Sequence, residues 1–350
     1  VKTTIMNRPL HTRKFIASHQ DLRGFGMVEL MVAMALGLFL VGGAISIFVA
    51  NQQAYRTTEQ LARMQENGRT SVELMSRRLR EAGGSPCGRG VPTANTVNNS
   101  GTSWWSNWET GLQGYDNTVA ANGVDFGTSA ARRIEGTDAV FLTFADASTG
   151  AVIEDHVPNA AQFQLNTNDH GLGDGEIVLV CNYRQAAILQ VTNVNSSNST
   201  VVHNTGTGAP GNCSKGLGFP TDCTNVNGNL YSFDSGFLVR LASEIWYVGA
   251  NGRGGRSLYR SRLVNVSGTP TTQAEEIAEG VTDLQMTYLQ VDGAGVLPTD
   301  YVDATAITTW TNVSAMRVTL TLQSLQSVGT NGVPLQRQMT YVVSLRNRLP

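Results

Sequence analysis

The chain has 350 residues, long enough for one large domain or two small ones around a substantial core. Its 25 Lys and Arg stand against 27 Asp and Glu for a net charge of -2, which excludes the basic footprint of a nucleic-acid-binding protein. Charged residues make up only 15% while Gly, Asn, Ser and Thr abound, a composition that fits a loop-rich exported β protein better than a cytosolic enzyme.

Residues 1 to 24 hold Lys2, Arg8, Arg13, Lys14 and Arg23 against one acid, Asp21. They contain no apolar run of their own and no small-residue cleavage site ahead of Phe25, so an ordinary secretory signal is not expected. The cluster of positive charge before the next segment predicts that this leader stays in the cytoplasm and that the chain beyond Ala50 lies outside. Arg56 begins a second basic stretch, which Glu59 and Glu66 dilute.

From Phe25 to Ala82 no proline interrupts the sequence, and a single helix over residues 25 to 83 is predicted. Its first part, residues 25 to 50, is apolar all round, and about 20 apolar residues follow Glu29, the length that crosses a bilayer. Glu29 is the one charge in it, where an unpaired carboxylate is costly and calls for a partner. Gly37, Gly42 and Gly43 would let neighbouring helices approach closely. Residues 51 to 83 are amphipathic, with Leu61, Met64, Gly68, Met75, Leu79 and Ala82 forming one stripe. Glu59 with Arg63, and Glu73 with Arg77, stand four apart in the favourable order. Gly83, Gly84 and Pro86 end the helix. A straight rod of this length would measure about 87 Å at 1.5 Å per residue. Its first half therefore needs cover from lipid or from helices of neighbouring subunits.

Residues 84 to 350 read as one β-rich domain. Residues 91 to 136 and 195 to 230 have the composition of long surface loops. Strands are predicted over residues 138 to 146, over two runs within 176 to 194, and over 237 to 248 and 257 to 266 across an Asn251-Gly252 turn. Three more follow at 284 to 291, 315 to 325 and 337 to 346, and a short helix is predicted at Ala274 to Glu279. Strands joined by turns without crossover helices predict mainly antiparallel sheet. The fold class is α+β, one long N-terminal helix laid against antiparallel sheets.

Four cysteines, Cys87, Cys181, Cys213 and Cys223, all follow the apolar run, and an even count on the exported side predicts disulfides in one of three pairings. Cys213 with Cys223 would close a local loop, leaving Cys87 with Cys181 to tie the helix end to a sheet. No Cys-x-x-Cys or Cys/His spacing supports zinc. His156, His170 and His203 fall singly in expected loops, and Asp169 and Asp174 around Gly171 and Gly173 read as a turn before a cation site. Neither a metal nor a cofactor is expected. No nucleophile elbow, phosphate loop or metalloprotease motif is present, so no catalysis is expected. Trp104, Trp105 and Trp108 stand in a Gly/Asn-rich loop. They are candidates for docking a sugar or partner, although pinning the loop to the core is the preferred reading.

The run Arg23-Gly24-Phe25-Gly26-Met27-Val28-Glu29-Leu30 resembles the leader signal of type IV prepilins and type II secretion pseudopilins. Gly26 and Met27 depart from the commoner Thr and Leu, and the leader is longer than in major pilins. Leu79 to Gly84, Gly173 to Cys181, Ile277 to Gln285 and Val343 to Arg348 are similar to the PilW-type minor pilins. The resemblance implies a pilin-like fold, cleavage by a prepilin peptidase between Gly24 and Phe25, N-methylation of Phe25, and a role for Glu29 in subunit assembly. It also implies a low-copy subunit that primes a type IV pilus near its tip. Partners would be other minor pilins, the major pilin, the inner-membrane assembly platform and a tip adhesin. The protein would cross the inner membrane once and later sit in the fibre at the cell surface, supporting adhesion and twitching motility. A minor pseudopilin of a type II secretion system is the nearest alternative. A single-span membrane-anchored periplasmic binding module is another, and an exported enzyme a third.

Overall fold

A computed structural model describes residues 26 to 348 apart from Ser196, and only the backbone at residues 147, 149 and 330. The chain divides into two compact units, Val1–Tyr55 and Arg56–Pro350. The described part of the first unit is helical from Met27, and every residue from there to Tyr55 is exposed.

Helix α1 spans Met27–Glu81. Within the second unit it buries Gln60, Met64, Gly68, Ser71, Met75 and Leu79, at spacings of three and four that make one face. Leu61 sits at the margin, 37% exposed, and Gln60 takes its expected place in the stripe at 4%. Gly68 marks the closest approach. A Cβ there would stand 2.5 Å from Met339 Sδ and 3.1 Å from Leu322 Cδ2, so a side chain would push the helix off the sheet. Glu59 and Arg63 pair at 2.7 Å as expected, whereas Arg77 lies 3.5 Å from Glu81, one turn after it, instead of pairing with the predicted Glu73 one turn before. Gly83 ends the helix at φ +69°, the left-handed conformation that glycine takes without strain.

The strands that follow are β1 (Thr93–Asn95), β2 (Leu112–Tyr115), β3 (Ala139–Val157), β4 (Gln162–Leu165), β5 (Ile177–Cys181), β6 (Ala186–Gln190), β7 (Asn193–Asn195) and β8 (Thr200–Val202). After a long irregular stretch come β9 (Phe237–Ala250), β10 (Arg256–Val266), β11 (Thr269–Glu279), β12 (Val281–Gln290), β13 (Val313–Gln323) and β14 (Gln336–Ser344). The larger sheet runs β1-β6-β5-β9-β3-β4-β8-β7, with β10 also on β9, β11 on β10 and β2 on β3. A smaller sheet has the order β12-β13-β14. Only β1 with β6 is parallel among these strand pairs, so the expectation of mainly antiparallel sheet holds. The long β9 shares one side between two partners, Phe237 to Arg240 with β5 and Glu244 to Ala250 with β10.

The principal core lies where α1, the small sheet, the first half of β3 and the second half of β9 meet. Met75, Leu79, Leu142, Trp246, Met286, Tyr288, Val318 and Leu320 are sealed in it. Period-two alternation selects that face: Val140, Leu142 and Phe144 of β3 point into this core, while Ala139 and Phe141 point into another. A separate core forms around Ile153, Phe163, Val178, Leu189 and Phe233. The protein is α+β, with a helix packed on a β domain.

One predicted element is wrong. Ala274 to Glu279 is not a short helix but the end of β11, paired antiparallel with β10. Its Ala and Glu favour helix, yet Arg260 of β10 binds Glu275 at 2.7 Å and Ser257 binds Glu276 at 2.7 Å. Cross-strand pairing to a strand already fixed in the sheet overrides the local preference.

Candidate functional site

The two residues expected at the cleavage point, Gly24 and Phe25, lie outside the described residues. Glu29 lies inside them, in the first turn of α1. It is the only charged residue from Met27 to Ala50, and it is exposed like its apolar neighbours. Met27, Leu38, Phe39 and Leu40 are 74 to 86% exposed, far more than a water-soluble surface helix would show in one continuous run. The Ser46 hydroxyl donates to the Gly42 carbonyl at 2.9 Å, so the one hydroxyl of this stretch is satisfied within the helix. By length and composition α1 is a candidate membrane span, the one such helix among the described residues, which suggests membrane anchoring. The geometry suits lateral burial in lipid or among helices, with the carboxylate at position 29 left seeking a cation.

The tryptophans divide. Trp105 is 9% exposed, packs in a core with Ile188 and Val239, and its carbonyl accepts the Ser243 hydroxyl at 2.5 Å. Trp104 packs edge-on against Phe141 at 5.7 Å between ring centres. Both therefore anchor the loop, the preferred reading of the sequence for these two. Trp104 and Trp108 also line an open groove of about 1280 Å³, together with Arg89, Asn95, Asp292 and Arg348. The Arg348 guanidinium donates to the Trp310 carbonyl, and burial pulls its pKa down to about 10.

Cys87 bonds Cys181, with Cα atoms 5.9 Å apart, and Cys213 bonds Cys223 at 5.1 Å. The first bridge fastens the segment after α1 to β5, and the second closes a ten-residue span in the irregular stretch before β9. That stretch is held further by a side-chain exchange that resembles a strand pairing. Gln190 N–H donates to Asn212 Oδ1 and Asn212 Nδ2 donates back to the Gln190 carbonyl, both at 2.7 Å.

The histidines were expected to be isolated, and two of them are not. His156 belongs to β3, His203 follows β8, and antiparallel pairing of β3, β4 and β8 brings their Nε2 atoms to 3.2 Å. They are 4% and 0% exposed and both pack, tilted, against the ring of Phe163. The Phe233 N–H donates to His156 Nδ1 at 3.1 Å, which places the neutral ring's proton on Nε2, pointing at His203. A metal would need that same nitrogen bare, so the pair is built as a hydrogen bond. Burial drives the pKa of His156 down to about 4 and that of His203 to about 3. Sequence spacing, 47 residues, gave no sign of the pairing.

A second buried polar cluster also escaped the sequence. Arg133 is fully buried, and its guanidinium donates to the carbonyls of Val119 at 2.8 Å and Tyr115 at 3.0 Å. Desolvation lowers its pKa to about 10 and raises that of nearby Asp138 to about 6. Asp138 accepts the N–H of Asn117 at 2.9 Å and of Met286 at 2.7 Å, and Asp116 accepts those of Ala304 and Thr305. These groups pin loops to β12 and leave no open face for a substrate.

Among the described residues no group of three or more His, Cys, Asp or Glu side chains is placed to hold a metal ion. No curated protein and no solved structure matches the chain. Residues 245–347 match the family described as Type IV Pilus-assembly protein W, a stretch that begins inside β9 and contains the whole small sheet. That match ties the chain to type IV pilus assembly.

Proposed function

We propose that the protein is a minor pilin, a structural subunit without catalysis that primes type IV pilus assembly and sits at or near the tip. One observation carries the reading: an exposed apolar first stretch of α1, Met27 to Ala50, whose single charge, Glu29, stands at its start, in a chain whose C-terminal third matches a pilus-assembly family. In this reading the leader is removed after Gly24 and the new amine of Phe25 is methylated. The apolar half of α1 then leaves the bilayer for the fibre interior. There the Glu29 carboxylate meets the amine of Phe25 in a neighbouring subunit, a pairing that low dielectric makes costly to break, at ~3–5 kcal/mol. The other minor pilins, the major pilin, the assembly platform and a tip adhesin are its partners.

Glu29→Ala tests this. Leader removal should proceed as in the parent, while recovery of the protein in sheared fibres should fall at least tenfold at equal cellular levels. Undiminished recovery would remove the pairing from the account.

A further inference from the structure

We propose that the free edge of β14 receives an extended, acid-bearing segment of a different pilus subunit, as a fourth strand of the small sheet. The inference rests on the minor-pilin reading and names the surface through which such a subunit would hold a neighbour. β14 is nine residues long, free of proline, and pairs with β13 on one side; among the described residues no strand pairs with the other. An edge of that length presents a row of main-chain donors and acceptors, which proteins ordinarily blunt.

The remaining edges are blunted. On β12 the Leu284 carbonyl accepts the Asp138 N–H at 2.8 Å, Met286 N–H donates to the Asp138 carboxylate, and Tyr288 exchanges both bonds with Val302. On β1 the Asn95 N–H is taken by the Thr221 hydroxyl at 2.8 Å. β11 contains Pro270 and carries Glu275, Glu276 and Glu279. β7 and β2 have only three and four residues. Among the described residues β14 alone is long and unguarded.

Its chemistry indicates the occupant. Gln338 to Ser344 is uncharged, with Thr340 and Val342 exposed. Arg337 and Arg346 bracket it, both exposed and, among the described residues, without a carboxylate at ion-pair distance. A fitting strand is uncharged in its middle and acidic at its ends, the main chain giving affinity and the termini giving register. A second copy is a poor fit, because antiparallel self-pairing would set Arg337 of one beside Arg346 of the other. The sheet that offers the edge also lies within the stretch that matches the pilus-assembly family.

The test places a photo-crosslinking amino acid at Val342 in the full chain, in piliated cells, with the same residue at Thr272 of β11 as control. Sheared fibres are irradiated and the adduct is sequenced by mass spectrometry. The expected adduct joins residue 342 to an acid-flanked segment of another pilus subunit. Its yield should be at least fivefold above that from residue 272, and should drop at least fivefold in Arg337→Glu/Arg346→Glu. That variant alters only exposed side chains, and formation of both disulfides verifies its fold. An adduct with a second copy, equal yields from 342 and 272, or no adduct in fibres that contain the protein would each overturn the edge proposal. Absence of the protein from the fibres would instead overturn the pilus-subunit reading beneath it.

Discussion

His156 and His203 show how a single contact can tie stability to pH. Both pKa values, about 4 and about 3, are depressed below the ordinary value of 6.5, so the folded state favours the neutral rings. Stability from the pair is complete above pH 6.5 and is lost as pH falls toward 4, where the unfolded chain takes up protons that the folded one refuses. Asp138 acts oppositely, since its raised pKa of about 6 makes the folded state hold its proton and stability from it fades as pH rises from 4 to 6. Two histidines outweigh one aspartate, so urea midpoints should fall between pH 6.5 and 4. In His156→Gln the slope of that limb should shrink by at least a third; an unchanged slope would mean that the pair does not govern it. Gly68 is the other residue whose identity matters alone. Gly68→Leu must displace Met339 and Leu322, and a loss of about 2–4 kcal/mol is expected from denaturant unfolding of the detergent-solubilised protein. An equal midpoint would show that the helix and sheet are not in close contact there.

Elements were legible wherever a period and a stop signal agreed. The α1 stripe read correctly at Met64, Met75 and Leu79 because burial at 3.6-residue spacing has one solution, and Gly83 closed it. The hairpin of β9 and β10 was announced by Asn251-Gly252. β11 was missed because its Ala and Glu residues favour helix, although only Ser267 and Gly268 separate it from its partner β10. The His156–His203 bond was invisible for a different reason, since only the sheet order brings those residues together, and no local pattern marked the Arg133 cluster. The cysteines were legible in both respects: their compartment predicted disulfides, and the expected pairs, Cys213 with Cys223 and Cys87 with Cys181, are the ones formed. The Cys87–Cys181 bridge closes a span of 94 residues, so its loss releases more chain entropy than loss of the ten-residue one. Cys87→Ser should cost about 2–5 kcal/mol and Cys213→Ser less, measured by urea unfolding under oxidising conditions. The reverse order would show that the shorter bridge does more than close its loop.

Across the whole molecule two kinds of surface stand apart. The first part of α1 is apolar on every side and has no cover among the described residues, while the β domain from Arg56 onward closes its own cores. A chain built this way requires a second environment for its apolar helix, and lipid and a helical bundle are the two that satisfy a backbone already bonded to itself. In the proposed reading Glu29 tips the balance toward the bundle, where a neighbouring subunit's amine would pair with its carboxylate. The family match covers the C-terminal third and the signal resemblance the start of the chain, while Gly173 to Cys181 is the resembling run in the central β3 to β8 region.

The central claim is that the helix enters a fibre after the leader is cut away, and intact-mass analysis of the protein from piliated cells tests it most directly. The account predicts a chain starting at Phe25 with one methyl group on its amine. A chain still carrying residues 1 to 24 would contradict it and leave a membrane-tethered domain in its place.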